Sequence, residues 1–566
     1  MEVRPWQQHY DEHVKLNQTY PETCIPDFLR QSAARAPERT AVFFGDIAGD
    51  GQLYSRRITY AELDELSDRF AGALQQDGFK PGDRVAFYMP NCPQYMIGYY
   101  GTLKAGGIVV PCNALMVARE VAAQVNNAGA EFLVVAGQMY AAIKAVRANT
   151  CLRKVVVTNV ADFLPPEIQD GAPIVNVVET EATVWLSSFL KAPRGAAVAI
   201  DPSDSAILMY TGGTTGLPKG AELTHRNLVC NTLQMTNWMF GPEAASRDER
   251  IMTILPMSHS YAMTVCMNLA VFNGFEQIVI QNPKDFNLFL KTIDRLKPTF
   301  TSAVPAIYTT INCHPEIQEG RYDLKSIRIW TSGAASLPAE VQLAFENITG
   351  CKIIEGYGLS EASPVTHFNP VSGGTVGSIG LTLVDTDCKI VDYETETRTL
   401  AAGEEGILCV SGPQVMKGYW NNAEETAKVL KHDGEGKLWL HTGDVAVMDE
   451  KGYVRIRDRK KNLILASGGF NVYPREIEER LYEHPAVHEC AVIGVPVGSP
   501  DQRIKAFIAL KPGHSVSIDE IRSWCLAGLS RYKVPKFIEF CDEIPKTSVG
   551  KISHLMLKNA EAGNKA

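Results

Sequence analysis

Leu63, Leu66, Phe70 and Leu74 recur at spacings of three and four residues, which lines one face of a helix with apolar side chains. Thr59 and Glu62 precede that stripe in "ITYAELDEL" as a capping-box pair, Gly78 stops the helix, and "KPGD" at 80–83 makes a turn. The apolar run "RVAFYM" at 84–89 then predicts a buried strand. The cycle repeats, with a helix around 93–105 before a strand "IVVP" at 108–111, and a helix around 119–128 before a strand "EFLVV" at 131–135. Alternation of this kind predicts an α/β fold of mainly parallel sheets covered by helices.

The pattern changes between about 370 and 457. Glycines and short strand-like pieces ("GSIG", "GILCV", "GYVRIRD") predict a β-rich subdomain there. The charge run "RDRKKN" at 457–462 reads either as a solvated turn or as a boundary, and the change in composition beyond it favours a boundary. Past it, "YPREIEERLYEH" places Pro474 near a helix start, with Ile477 and Leu481 on one face. "CAVIGVP" at 490–496 and "IKAFIAL" at 504–510 predict strands. The expected organisation is a large N-terminal domain, 1–457, a hinge at 458–461, and a small α+β C-terminal domain, 462–566.

At 566 residues the chain exceeds what one core encloses, in keeping with several lobes. A net charge of −9 argues against a nucleic-acid partner. The N-terminus has no apolar signal-like run, and the longest apolar stretch, near 105–118, is broken by Pro111, Cys112 and Asn113. It falls short of the roughly 20 residues that a spanning helix needs, so no transmembrane segment is expected. Thirteen cysteines without a CxxC pair predict reduced thiols in the cytoplasm. Cys313 and His314 adjoin but have no matching pair for a metal.

Four stretches carry chemistry. "SAILMY" at 205–210 runs into "TGGTTGLPKG", where backbone N–H groups, threonine hydroxyls and Lys219 converge as an anion site. A Walker loop reads G-x-x-x-x-G-K-[ST], and this one does not; a plain glycine-rich turn stays open. In "IIEGYGLSEASP" at 353–364, Tyr357 between two glycines offers a ring face to a flat partner, and Glu361 suits Mg²⁺ beside phosphates. Each also reads as an ordinary half-buried tyrosine and a surface acid. "WLHTGD" ends on Asp444, placed to grip a ribose diol, and Arg459 lies in the charge run at the hinge. "IPKTSVGKI" at 544–552 puts Lys551 on a glycine turn, which no isolated reading would select.

In this order the four stretches resemble the AMP-forming acyl-CoA synthetases of the adenylate-forming superfamily, over nearly the whole chain. The resemblance implies two half-reactions. A carboxylate attacks the ATP α-phosphate and pyrophosphate leaves; CoA thiol then attacks the acyl-adenylate and AMP leaves. It implies ATP, Mg²⁺ and coenzyme A as the small molecules. It assigns Thr211, Gly213, Thr214, Thr215, Gly216 and Lys219 to the leaving phosphates. Gly333, Ala334 and Ala335 would lie beside adenine, Glu355, Gly356 and Tyr357 would line the base, and Asp444 and Arg459 would hold the ribose. Ser360 would touch the α-phosphate, Glu361 would hold Mg²⁺, and Lys551 would bridge the attacking carboxylate and the α-phosphate.

By the same resemblance Lys461 marks the position about which a mobile small domain turns. That turn would bring "SGGFN" at 467–471, with Gly468 and Gly469, to a pantetheine tunnel. His259, in "LPMSHSYAM", would sit where acyl chain, adenylate and thiol meet, with Tyr261 and Gly333 against the substrate. Two departures from the family pattern stand out: Ser360 replaces the usual threonine and Ser258 the usual aromatic.

"GSIG" at 377–380 and "SGGFNVYP" at 467–474 look most like medium- and long-chain fatty-acid ligases, whereas Tyr261, Ala262 and Met263 are similar to aromatic-acid ligases. An aromatic or alicyclic acid, or loading of a carrier protein, is therefore the alternative, and a non-catalytic nucleotide binder is a third class. No attached carrier domain follows Lys551. A homodimer and a peripheral membrane contact are compatible with the resemblance, although no basic amphipathic helix supports the latter.

Overall fold

The computed structural model describes residues 4–563, except 49, 170–173, 212–217, 283–284, 467–469, 497–501 and 548–550. Two large sheets form the body of the chain. The eight-stranded sheet carries the strands anticipated from the alternating pattern, among them Arg84–Tyr88, Ile108–Cys112 and Phe132–Ala136, paired in parallel. The nine-stranded sheet contains parallel strands Arg250–Thr253, Phe300–Ala303, Ile329–Ser332 and Ile353–Gly358.

Helices Pro93–Lys104 and His225–Phe240 bury almost every side chain. Buried polar side chains of the second are hydrogen-bonded, as where Asn231 donates to the Val365 carbonyl at 2.8 Å and Gln234 to the Val384 carbonyl at 2.7 Å. The same hydrophobic cluster joins Tyr95 and Leu228 of these helices to Val85 and Val109 of one sheet and Val42 and Val279 of the other. Both helices therefore fill the layer between the sheets. On the outer face of the eight-stranded sheet, Val121, Val125 and Ile143 of helices Ala118–Ala128 and Gly137–Val146 pack on Leu133 and Val155.

Two local readings differ from expectation. The helix Tyr60–Gln76 starts as anticipated, with Thr59 Oγ1 accepting the Glu62 N–H at 3.1 Å, but the Glu62 carboxylate pairs with Arg56 at 3.0 Å instead of closing the box. An arginine in reach offers a carboxylate a charge-assisted bond, which outcompetes a neutral backbone donor. "GSIG" is a turn and not a strand, because Gly377 and Gly380 adopt φ of 73° and 92°; only Gly380 bridges to Val454. The N-terminal strands Thr40–Ile47 and Leu53–Thr59 join the nine-stranded sheet, and Leu63 and Phe70 of the helix that follows share a hydrophobic cluster with their Val42, Phe44 and Ile58.

The β-rich region forms its own sheet from Asp387–Val391, Glu405–Ser411, Leu430–His432, Leu438–Met448 and Val454–Arg459. The charge run thus begins inside a strand and continues into a short 3₁₀ turn, Lys460–Asn462. The small C-terminal domain is a mixed sheet with helices. In strand Val487–Pro496, Cys490 and Val492 face helices Pro474–Tyr482 and Ile518–Gly528, while Ala491, Ile493 and Val495 face Ile544 and Leu557. This is the two-residue alternation of a strand buried on both sides. Among the described residues no helix is long and apolar enough to cross a membrane.

Candidate active site

Parallel strands release their chains at one edge of a sheet, and the loops there are where ligands bind. Strand Ile329–Ser332 ends on Gly333, where a Cβ would meet the Tyr261 ring at 3.1 Å, and Ala334 turns the chain with φ at 67°. Its neighbour Ile353–Gly358 carries Glu355, Gly356 and Tyr357. Gly356 has no room for a side chain, because a Cβ would lie 2.3 Å from the Phe368 ring. Ala334, Glu355, Gly356 and Tyr357 line a cavity of about 620 Å³ together with Asp444, Arg459, Lys461 and Lys551, whereas Gly333 and Tyr261 lie outside its lining.

Asp444 and Arg459 face each other in register on antiparallel strands, and their side chains pair at 2.9 Å. The Tyr357 hydroxyl donates to the second oxygen of Asp444 at 2.5 Å, which ties the tyrosine to the acid across the cavity lining. The His367 ring packs edge-on against Tyr357 from the adjacent strand. Glu355 is buried. One carboxyl oxygen accepts the Leu337 N–H at 3.1 Å and the other has no partner among the described residues. Burial pushes its pKa up to about 7, against the pull of Arg475.

The Thr547 N–H donates to the Lys551 carbonyl at 2.6 Å. Close packing of protein around its ammonium, reinforced by Arg459, lowers its pKa to about 8; Asp444 and Glu361 oppose that shift. Lys461 is lowered by burial and by Arg459. His259 caps the turn that carries Tyr261, and its Nδ1 accepts the Tyr261 N–H at 3.2 Å. The ring proton therefore sits on Nε2. Burial and the Lys551 charge hold its pKa down at about 3, so the imidazole is neutral. Ser260 and Ser360 hydroxyls lie 3.3 Å apart, joining this turn to the loop after Tyr357.

The phosphate-loop residues Gly213, Thr214, Thr215 and Gly216 lie outside the described residues, as do Gly468 and Gly469. Their frame is clear. Thr211 ends strand Ser205–Thr211 and pairs with Lys219, which opens strand Lys219–Thr224. Glu361 accepts the Tyr419 hydroxyl at 2.8 Å through Oε1.

No cluster of three metal-ligating side chains occurs among the described residues. A single carboxylate is what Mg²⁺ uses when phosphates supply most of its oxygens, so the donor set fits that ion. Cys313 and His314 belong to no such cluster.

Sequence reasoning missed Tyr419, Glu425, Asp458 and Arg475. Asp458 accepts the N–H of Arg459 at 2.6 Å and of Arg475 at 3.1 Å, together with the Asn462 amide at 3.0 Å. Arg475 also reaches the Ile456 carbonyl at 2.5 Å. Burial raises the Asp458 pKa. Its place in "RDRKKN" was the one available signal.

Tyr357, the Asp444–Arg459 pair and Lys551 thus meet at one cavity beside the ends of the parallel strands, and the fold around it is that of an adenylate-forming enzyme. Residues 29–420 match the AMP-binding enzyme family and 476–551 match the AMP-binding enzyme C-terminal domain, so the chain belongs to that family. It is 41% identical over 575 residues to a long-chain-fatty-acid–CoA ligase of Bacillus subtilis (strain 168), covering 99% of each chain. It is 37% identical over 555 residues to a ligase of the same name from Escherichia coli O157:H7, covering 95% of each. The crystal structure of the anthranilate CoA ligase AuaEII in complex with anthranoyl-AMP superposes with a TM-score of 0.84 at 26% identity, covering 96% of this chain and 98% of that one.

Proposed function

We propose that this chain is an ATP-dependent acyl-CoA ligase whose acid is a medium- or long-chain fatty acid. The observation that carries the reading is one cavity on which Tyr357, Asp444, Arg459 and Lys551 converge from two domains. In the first half-reaction a carboxylate oxygen bonds to the α-phosphorus, the α–β bridging P–O bond breaks, and pyrophosphate leaves. Lys551 would stand between the two anions, lowering their repulsion and fixing their approach. Tyr357 would stack on adenine, Glu355 and Gly356 would line it beside Ala334 and Ala335, and Asp444 with Arg459 would hold the ribose. Thr211, Lys219 and the loop between them would take the leaving phosphates.

Glu361 would hold Mg²⁺, which when bound offsets phosphate charge. Ser360 would donate to the α-phosphate. In the second half-reaction the CoA sulfur bonds to the acyl carbon and AMP leaves. A thiol with a pKa near ~8.5 ionises enough at neutral pH to need no dedicated base. His259, neutral with its proton on Nε2, would serve as a donor at the meeting point of acyl chain and thiol, with Tyr261 and Gly333 bounding the acid.

The domain division belongs to the same proposal: 1–457 as the body, 458–461 as the hinge with Lys461 at its turning point, and 462–566 as the mobile part that carries Lys551 and the Gly468–Gly469 loop. Thirteen unpaired cysteines support a reducing, cytoplasmic setting. Light scattering tests a homodimer, and vesicle flotation tests a peripheral membrane contact.

The deciding experiment is a carboxylate panel, short to long and linear to aromatic, scored by kcat/KM for AMP release with CoA present. A maximum among linear acids of eight or more carbons is expected. A maximum on aromatic acids, or activity only with a phosphopantetheinylated carrier, overturns the substrate assignment.

A further inference from the structure

The segment Met416–Trp420 is stitched to both halves of the phosphate side of the site. The Met416 N–H donates to the Glu361 carbonyl at 2.8 Å, and the Trp420 N–H to the Gly220 carbonyl at 2.8 Å. Between them, Gly418–Tyr419 forms a two-residue edge strand on Lys219–Thr224, with Tyr419 opposite Ala221. The Tyr419 N–H is fixed in turn by Thr426 Oγ1 at 2.8 Å. Backbone pairing on this scale holds one side chain in one place.

That side chain serves two neighbours at once. Its hydroxyl donates its single proton to Glu361 Oε1 at 2.8 Å. Its ring face lies under the Lys219 ammonium, 5.3 Å from Nζ to the centroid, within cation–π range. The ammonium is also ion-paired with Glu425, whose own N–H is held by Asn422 at the start of helix Ala423–Val429. The carboxylate that suits a divalent cation and the lysine that borders the phosphate loop are therefore oriented by one aromatic residue.

We propose that Tyr419 is a positioning residue of the adenylation site, aiming Glu361 through its hydroxyl and Lys219 through its ring. The proposal rests on the ligase reading above. Its two functions separate by chemistry. Y419F keeps the ring and removes the hydroxyl, whereas Y419L removes both. Loss of a hydrogen bond to a charged group predicts a roughly tenfold fall in acid-dependent ATP–pyrophosphate exchange for Y419F. The Mg²⁺ concentration for half-maximal exchange should rise with it. Loss of the cation–π contact adds a roughly two- to fivefold weakening of ATP binding in Y419L only.

The test compares the parent, Y419F and Y419L in three measurements. The first is Mg²⁺-titrated exchange with decanoate. The second is calorimetric ATP binding in excess EDTA, which reads Lys219 without the metal. The third is thioester formation from supplied decanoyl-adenylate and CoA. The expected result is a raised Mg²⁺ requirement in both variants, weakened metal-free ATP binding in Y419L alone, and unchanged thioester formation. An equal fall of both half-reactions marks a merely structural tyrosine and overturns the proposal. So does a Mg²⁺ requirement in Y419F equal to the parent's, or metal-free ATP binding in Y419L equal to Y419F. If the parent itself gives neither exchange nor thioester with any acid, the ligase reading has failed instead, and the metal-free ATP binding still reports on Tyr419.

Discussion

Arg459 Nε lies 2.9 Å from Asp444 Oδ1, and the two residues sit opposite each other across a pair of antiparallel strands. Strand pairing, not side-chain flexibility, sets their geometry. Asp444 is nearly buried and Arg459 reaches the cavity, so the pair fixes the acid beside the Tyr357 hydroxyl. Asp444→Asn preserves shape and removes the charge that both partners use. Metal-saturated pyrophosphate exchange should then show KM for ATP raised about 10- to 100-fold, the range for charge-assisted hydrogen bonds. An ATP KM within twofold of the parent's would remove Asp444 from the nucleotide site.

In the role proposed for it, Lys551 would link the first half-reaction to pH. Its pKa is depressed to about 8, so the ammonium is lost as pH rises through that value. The kcat/KM for exchange, which reports the free enzyme, should fall above about pH 8. Lys551→Arg retains a charge across that range and should lose this limb. Lys551→Ala should lower exchange by about 10²–10³-fold, on the scale of removing one transition-state donor. Thioester formation from supplied acyl-adenylate should survive. An equal loss of both half-reactions in the folded variant would refute the assignment.

Glu355 makes a stability prediction. Its folded pKa of about 7 stands above its ordinary 4.5, so between those values the folded state keeps a proton that the unfolded chain has released. Stability is unaffected below about pH 4.5, declines as pH rises towards 7, and levels off above it. The cost at pH 8 is up to about 3 kcal/mol. Glu355→Gln should melt higher than the parent at pH 8, with the difference shrinking towards pH 5. A difference in Tm that is the same at both pH values counts against this account.

Gly356 tests packing. A Cβ there would fall 2.3 Å from the Phe368 ring, which is itself buried. Overpacking of this kind costs about 1–3 kcal/mol. Gly356→Ala should lower the denaturation midpoint measured in urea, and Phe368→Leu in the same chain should restore part of it. Additive losses in the double variant would show that the two residues do not meet.

The parallel strands and their helices were legible because a buried strand and a half-buried helix leave different periods in the chain. Motif order also picked out residues that the fold brings together: Tyr357, Asp444, Arg459 and Lys551 all line the cavity. What stayed hidden was pairing at a distance. Tyr419 meets Glu361 and Lys219 only because a two-residue strand joins the edge of a sheet, and no local pattern records that register. The Glu62 carboxylate shows the converse, a local motif overridden by Arg56 arriving from the preceding strand. "GSIG" was misread because glycines with positive φ make a turn whatever the flanking residues prefer.

The clamp of Arg475 on Asp458 and Ile456 joins a helix beyond the proposed hinge to the strand that runs into it. A swivel at 458–461 would have to part Arg475 from the Ile456 carbonyl and from the Asp458 carboxylate before the small domain could turn freely. The small domain would therefore behave like a catch with a detent, resting in this orientation until enough free energy gathers to release it in one step. The enzyme's clock would then be set by that release as much as by the bonds made and broken in the cavity.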